Sequence, residues 1–396
     1  MNQLMESPCY YATIFLFLSL LICLKKRATQ DLVLYAQKGS QHLKPALSNK
    51  KFNSMKYRDP FLIFSAPLQI AKHTLLSANK KYRSKYQYLR EVFTYPNGGT
   101  CAIDWVNEIS TKGDQRPLLI LTPGLMGDSN AIYIIGSIDV AIKQGYCIVI
   151  ISQKGSNGLN LTSPDISGIT SGWDLQPPIQ YIYNKYCVNE KKEKARQIFL
   201  FGVSYSGYLI SHYLAQFPED SKVLDAVAIV GSSHQTAASQ ENMYKYLFGS
   251  FDKYMTKKFK GVLSKNVTIL KDVTLQKAGI DLEKFLQDKN NKLHQYNELV
   301  GKLNGFKDID DYYINGSMNK TFPKIQNPIL YLHSLDDPAI GSKNIDYEEC
   351  MKNPHILLGT TRTGSHVCHY EGIFSTDMWY SKVCIEFLNS YRNDLK

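Results

Sequence analysis

The chain has no CxxC pair, no internal repeat, no low-complexity tract and no stripe of single-sign charge, and each absence removes a class of protein. Its eight cysteines stand apart, at Cys9, Cys23, Cys101, Cys147, Cys187, Cys350, Cys368 and Cys384. That scatter fits neither a zinc site nor a disulfide framework, so they read as buried thiols. His366, Cys368 and His369 lie close in sequence, but no second ligand cluster matches them, and neither a metal nor a cofactor is expected. The formal net charge is +11, yet the lysines fall in separated pairs such as Lys50-Lys51, Lys191-Lys192 and Lys257-Lys258. Without a nucleic-acid motif beside them, they read as solvated surface charge or as affinity for an anionic membrane face, and no nucleic-acid partner is expected.

One long apolar run is present. From Cys9 to Leu24 the sequence carries no charge, and Lys25-Lys26-Arg27 follows at once. As a helix the run would span roughly 24 Å, against a bilayer core of about 30 Å. Snorkelling lysines and interfacial tyrosines cover the shortfall. A cleaved signal peptide has its basic residues before the apolar run and small residues after it, the reverse of the order here. A mitochondrial presequence would be Arg-rich and amphipathic. The expectation is therefore a single-pass N-terminal membrane anchor at residues 1–27, in the endoplasmic reticulum or another endomembrane, with a mitochondrial membrane as the alternative. The positive-inside bias puts the body of the chain in the cytosol. Sequons at Asn160, Asn266, Asn315 and Asn319 offer a test of that topology.

Residues 28–90 are mixed and basic with little period, and read as a linker and N-terminal embellishment. Tyr95-Pro-Asn-Gly-Gly99 is a hairpin turn signal that opens the core. Apolar runs then recur at Leu118–Leu121, Cys147–Ile151, Ile198–Phe201, Val227–Val230, Ile329–Leu332 and Ile356–Leu358, most of them separated by helix-length stretches. This is the pattern of an α/β protein with a mainly parallel central sheet flanked by helices. The interval 240–311 breaks the rhythm. It is lysine-rich, with helices expected over Glu241–Phe248 and Leu282–Leu303, and reads as a helical lid inserted between a first core part, 91–239, and a second, 312–396. Its aromatic run, Tyr244, Tyr246, Leu247, Phe248 and Phe251, either presents an entrance to lipid or forms the lid's own core.

The chemistry is concentrated at Gly202-Val-Ser204-Tyr-Ser206-Gly207, between an apolar strand and a helical stretch. A serine on such a strained turn exposes its Oγ, provided that the residues two positions away on either side are small. Gly202 and Ser206 qualify, although glycine is usual where Ser206 stands. A hydrolase built this way needs an acid and then a histidine later in the chain, each on a loop after a strand. His333-Ser-Leu-Asp336-Asp337-Pro338 and Thr363-Gly-Ser-His366 supply them. Asp337 is preferred, because Asp337-Pro-Ala-Ile340 turns the loop back into the fold, with Asp336 as the alternative. His369 and His333 compete with His366. The developing oxyanion requires main-chain donors, for which Tyr205 and Leu125, in the loop Thr122-Pro-Gly-Leu-Met-Gly127, are the candidates.

Five segments in order, Pro123-Gly-Leu-Met-Gly-Asp-Ser129, the Ser204 elbow, Phe306-Lys-Asp-Ile-Asp-Asp-Tyr-Tyr313, Asp336-Asp-Pro338 and Gly364-Ser-His-Val-Cys-His-Tyr-Glu-Gly372, resemble the successive motifs of the AB hydrolase 4 family. Tyr57-Arg-Asp-Pro60 with Ala66-Pro-Leu-Gln-Ile70 resembles its N-terminal signature. The likeness covers about residues 55 to 390. It implies an α/β-hydrolase fold, an N-terminal membrane anchor, and short- to medium-chain ester, acylglycerol or phospholipid substrates, with acyl transfer to an alcohol in some members. Ser206, and Lys154 in Ser152-Gln-Lys-Gly155 where the family carries arginine, depart from the pattern. The alternative from another class is a catalytically weak or inactive α/β-hydrolase fold serving as a structural or binding subunit of a membrane assembly.

Overall fold

A computed structural model describes residues 8–60 and 63–395. Among them the strands are β1 (Thr29–Asp31), β2 (Val33–Ala36), β3 (Lys56–Arg58), β4 (Tyr88–Thr94), β5 (Thr100–Val106), β6 (Leu118–Thr122), β7 (Cys147–Ile151), β8 (Ile198–Val203), β9 (Ala226–Val230), β10 (Ile329–Ser334) and β11 (Ile356–Thr361). All but β1 and β3 join one sheet in the order β2-β11-β10-β9-β8-β6-β7-β5-β4. From β11 to β7 the neighbours are parallel. The β4–β5 hairpin, closed by Tyr95, closes one edge antiparallel, and β2 the other.

All six expected strands are present and wholly buried, as continuous apolar runs in a parallel sheet must be when both faces are covered. Successive side chains serve opposite faces. Leu118, Ile120, Ile198 and Leu200 pack on one side, with Leu209, Ile210 and Tyr213. Leu119, Leu121, Phe199 and Phe201 pack on the other, with Ile134, Ile138, Val383 and Phe387. The helices concerned here are α1 (Pro8–Ala28), α2 (Ala66–Ala78), α3 (Ile132–Lys143), α4 (Ser206–Gln216) and α5 (Trp379–Asn389).

The stretch 28–90, read as a linker and N-terminal embellishment, contributes a strand and several buried side chains to the core. β2 pairs with β11, and Leu43, Phe52 and Tyr57 are fully buried among residues of α5 and the sheet. Strands β1, β2 and β3 have three or four residues each, too short for a period to declare itself.

The lid has its own small core of Leu263, Leu270, Leu282, Leu286, Tyr296 and Leu299. The helix expected over Leu282–Leu303 is two helices, Leu282–Gln287 and Leu293–Leu303. Between them the Asp288 carboxylate accepts from Asn290 N at 2.8 Å and Asn291 Nδ2 donates to Phe285 O at 2.7 Å, local bonds that compete with helix continuation. The one expected over Glu241–Phe248 instead spans Thr236–Lys245 and turns at Gly249, φ 78°.

Among the described residues, no helix is long and apolar enough to cross a membrane. Residues 1–7, and the side chains of 8–10 and 23–28, lie outside the described set, so much of the expected anchor does too. Within α1, Phe15 and Leu16 are 71% and 69% exposed, and Phe17, Leu18, Leu20 and Ile22 are exposed as well.

Candidate active site

β8 ends at Val203 and α4 begins at Ser206, so Ser204 occupies the turn between them with φ of 55°. A non-glycine residue enters that left-handed region only at a cost, which the surrounding structure must impose. Ser204 N donates to Val230 O at 2.8 Å, and Ser232 Oγ donates to Ser204 O. Strand and helix approach so closely that a Cβ on Gly202 would stand 2.2 Å from Ile210 Cδ1, and one on Gly207 2.0 Å from Ser232 Oγ. Ser206 fits where glycine is usual because its hydroxyl is fully used. It accepts from Val203 N at 2.9 Å and donates to Thr122 O at 2.8 Å.

His366 Nε2 lies 2.9 Å from Ser204 Oγ, and His366 Nδ1 lies 2.9 Å from Asp337 Oδ2. The other carboxylate oxygen of buried Asp337 accepts from Ala339 N at 2.8 Å and Ile340 N at 3.2 Å, so the loop does turn back onto its own acid. Burial pulls the His366 imidazole down, but the charge of Asp337 and its hydrogen bond outweigh burial and hold it above its ordinary value. Asp336 faces the chain instead, accepting from Ser365 N at 2.8 Å and from Ser334 Oγ. The competing histidines point elsewhere. His369 Nε2 lies 2.9 Å from Thr361 Oγ1, and burial pushes its imidazole down to about 3. His333 pairs with His234, Nε2 to Nε2 at 2.9 Å, and is also held well below the ordinary range by burial.

The loop after β6 lies against the elbow. A Cβ on Gly124 would meet Val203 O at 3.3 Å and Ser204 Cβ at 3.4 Å, and one on Gly127 would stand 2.2 Å from Tyr133 Oη. Gly124 N donates to Tyr133 Oη at 3.2 Å. Among the described residues, neither Leu125 N nor Tyr205 N donates to a protein acceptor, whereas the neighbouring Gly124, Met126 and Gly127 amides all do. The amides of both expected donors are thus left without a protein acceptor.

Two contributors were missed in the sequence. Gln153, after β7, donates to Pro123 O at 3.1 Å and Gly124 O at 3.2 Å and accepts from Met126 N at 3.4 Å, which shapes the whole turn around Leu125. His73 of α2 stacks on Tyr133 and lies 2.9 Å from Tyr370 Oη, with its imidazole pushed down to about 4 by burial and by His366. A lone histidine on a helix carries no signal that would have found it. Lys154 is buried between Asp174, at 2.7 Å, and Asp165, so it supports the fold beneath the loop as a paired charge. In the lid, Tyr246 is half-buried, and burial raises its phenol above the ordinary value. Tyr244 bonds Tyr313 Oη at 2.7 Å, which ties the lid to a tyrosine of the main core. The side chains of Leu247 and Phe248 lie outside the described residues.

The chain is 27% identical over 300 residues to phospholipase ABHD3 of Bos taurus, a match covering 74% of this chain and 69% of that protein. It is 24% identical over 369 residues to a monoacylglycerol lipase of Saccharomyces cerevisiae, covering 78% and 76%. The chain is an α/β hydrolase. No family model matches it. Among solved structures, the Pyrococcus furiosus esterase Pf2001 superposes on 78% of this α/β hydrolase and 92% of its own chain, with a TM-score of 0.49 and 14% identity. The strand order and the serine turn after β8 are what an α/β hydrolase requires, and the sheet places Ser204, Asp337 and His366 after β8, β10 and β11, on loops at one edge.

Proposed function

We propose that this α/β hydrolase belongs to the AB hydrolase 4 branch and cleaves carboxylic esters of lipids, acylglycerols or lysophospholipids, through an acyl-enzyme on Ser204. The observation that carries the reading is the continuous chain from Ser204 Oγ through His366 to Asp337, with two links of 2.9 Å, on a turn whose neighbouring amides are free. As Oγ attacks the ester carbonyl, His366 Nε2 takes the hydroxyl proton. Asp337 holds the Nδ1–H tautomer and stabilises the imidazolium. The carbonyl oxygen, now negative, accepts from Leu125 N and Tyr205 N. Collapse breaks the ester bond, and His366 returns the proton to the departing alcohol. Water then attacks the acyl-enzyme with His366 again as base, releasing the acid and restoring Ser204. A second alcohol in place of water would give acyl transfer.

The residue set supports an active enzyme over an inactive structural subunit, because every member of the relay is present and correctly spaced. The uncharged run from Cys9 to Leu24, with exposed aromatic and aliphatic side chains along α1, supports a single-pass membrane anchor, which would deliver the site to its lipid substrate. An endomembrane with the body in the cytosol is the location proposed. The test is activity-based labelling of the membrane fraction with a fluorophosphonate, followed by a panel of acylglycerols and lysophospholipids. Covalent labelling with turnover of at least one class is expected. A folded protein that neither labels nor hydrolyses any ester would overturn the proposal.

A further inference from the structure

The loop that carries His366 is strained. Ser365, Val367 and His369 have φ of 57°, 48° and 36°, three non-glycine residues in the left-handed region within five positions, and Gly364 before them has φ of 145°. Such backbone persists only where its surroundings over-determine it. Against the start of this loop lies a polar cluster built by the N-terminal stretch. β1 and β3 form a two-stranded antiparallel ribbon in which Gln30 stands opposite Tyr57, and Asp59 follows β3 directly.

Gln30 Oε1 accepts from two successive loop amides, Arg362 N and, at 3.1 Å, Thr363 N, while its Nε2 donates to Thr363 Oγ1. Thr363 Oγ1 in turn donates to Asp59 Oδ2 at 2.6 Å. The second Asp59 oxygen accepts from Gln69 Nε2 at 3.1 Å, which also donates to Tyr57 Oη at 3.1 Å. Gln30, Asp59 and Gln69 are all buried, at 5%, 7% and 0% exposure. Ser365 Oγ adds a bond to Ala66 O at the start of α2, 3.2 Å away.

We infer that Gln30 and Asp59 are positioning residues for the reaction: clamped on Arg362 and Thr363, they hold the strained loop so that His366 stays in line between Ser204 and Asp337. The inference rests on the proposed role of His366 as general base. It also assigns a purpose to the short strands β1 and β3, which lie outside the main sheet. Gln30 is two residues beyond the end of α1, so the clamp begins where the expected anchor ends.

The test uses the full-length chain in detergent with a short-chain nitrophenyl ester. Gln30→Ala and Thr363→Val remove clamp bonds without altering Ser204, His366 or Asp337, and Thr363→Ser restores the hydroxyl. With the histidine displaced by a fraction of an ångström to an ångström, kcat should fall about ten- to a hundred-fold. KM should change by less than about two-fold, since ground-state binding is untouched. The rate of fluorophosphonate labelling should fall in parallel, and Thr363→Ser should recover most of both. Thermal unfolding and the active fraction titrated at long labelling times separate positioning from folding. Loss of activity only in proportion to the unfolded fraction, or wild-type kcat in folded Gln30→Ala and Thr363→Val, would overturn the inference. Ser204→Ala run alongside reports on the catalytic reading itself: if it retains full turnover, that reading fails, whatever the clamp variants do.

Discussion

Asp336 and Asp337, adjacent in sequence, grip the same histidine loop by different handles. Asp337 lies 2.9 Å from the His366 ring, and Asp336 accepts from the Ser365 amide at 2.8 Å. The two carboxylates therefore do different work, one on the imidazole and one on the backbone that carries it. Asp337→Asn should lower kcat by roughly 10⁴, through the wrong tautomer, with the fold intact. Asp336→Asn keeps an acceptor for Ser365 N and should cost far less. Steady-state kinetics on both variants checks the ranking, and the reverse order would move the acid to Asp336.

The pH dependence follows from His366. Only the neutral imidazole accepts the Ser204 proton, so kcat/KM should rise with pH through the histidine's own pKa. That pKa is held above the ordinary value of about 6.5 because the Asp337 charge and hydrogen bond outweigh burial. Asp337→Asn removes the raising cause and should shift the residual activity's acid limb downward. An upward shift, or none, measured in a pH–rate profile, would contradict this arrangement.

Ser206 should be a stabilising substitution for the usual glycine, not a defect. Its hydroxyl pairs with Val203 N and Thr122 O inside the sheet, so Ser206→Ala leaves a buried donor and an acceptor unmatched. The expected loss is about 1–3 kcal/mol in denaturant unfolding. An unchanged midpoint would show that those bonds contribute nothing net.

Deleting residues 1–27 removes the exposed apolar face of α1 while leaving Gln30 in place. The truncated protein should leave the membrane under carbonate washing and should keep its kcat on a soluble ester. Attachment that survives the wash would put the anchor elsewhere. Of the four sequons, Asn160 and Asn315 are exposed while Asn266 is buried and bonded to Leu161 N. With a cytosolic body, Asn160 and Asn315 should carry no glycan, and a glycosidase-sensitive mobility shift would reverse the topology.

Much of the sheet was legible because strands buried on both faces must be apolar at every position, and Leu118–Leu121 or Val227–Val230 declare that without help from neighbours. That Ser204, His366 and Asp337 would come within hydrogen-bond distance was legible for a chemical reason: a nucleophilic serine on a strained turn would need a base and an acid, and the chain offers few that follow strands in the required order. What was not legible depends on pairing across the chain. Gln30 meets Thr363, and Tyr57 bonds the Tyr370 carbonyl, across more than 300 residues, and nothing local in the short β1–β3 ribbon announces it. Gln153 was in view only as part of a motif, because its hold on Pro123 and Gly124 depends on β6 and β7 being neighbours. The split of the Leu282–Leu303 helix rests on side-chain bonds at Asp288 and Asn291 that a helical period overrides on paper.

The central claim is that Ser204 forms the acyl-enzyme, and Ser204→Ala tests it most directly. Turnover should fall by several powers of ten, on the order of the ~10⁶ lost when a triad serine is removed from a comparable site, and fluorophosphonate labelling should disappear while the thermal transition stays in place. Retained labelling or near-normal ester hydrolysis in the folded Ser204→Ala protein would contradict the account.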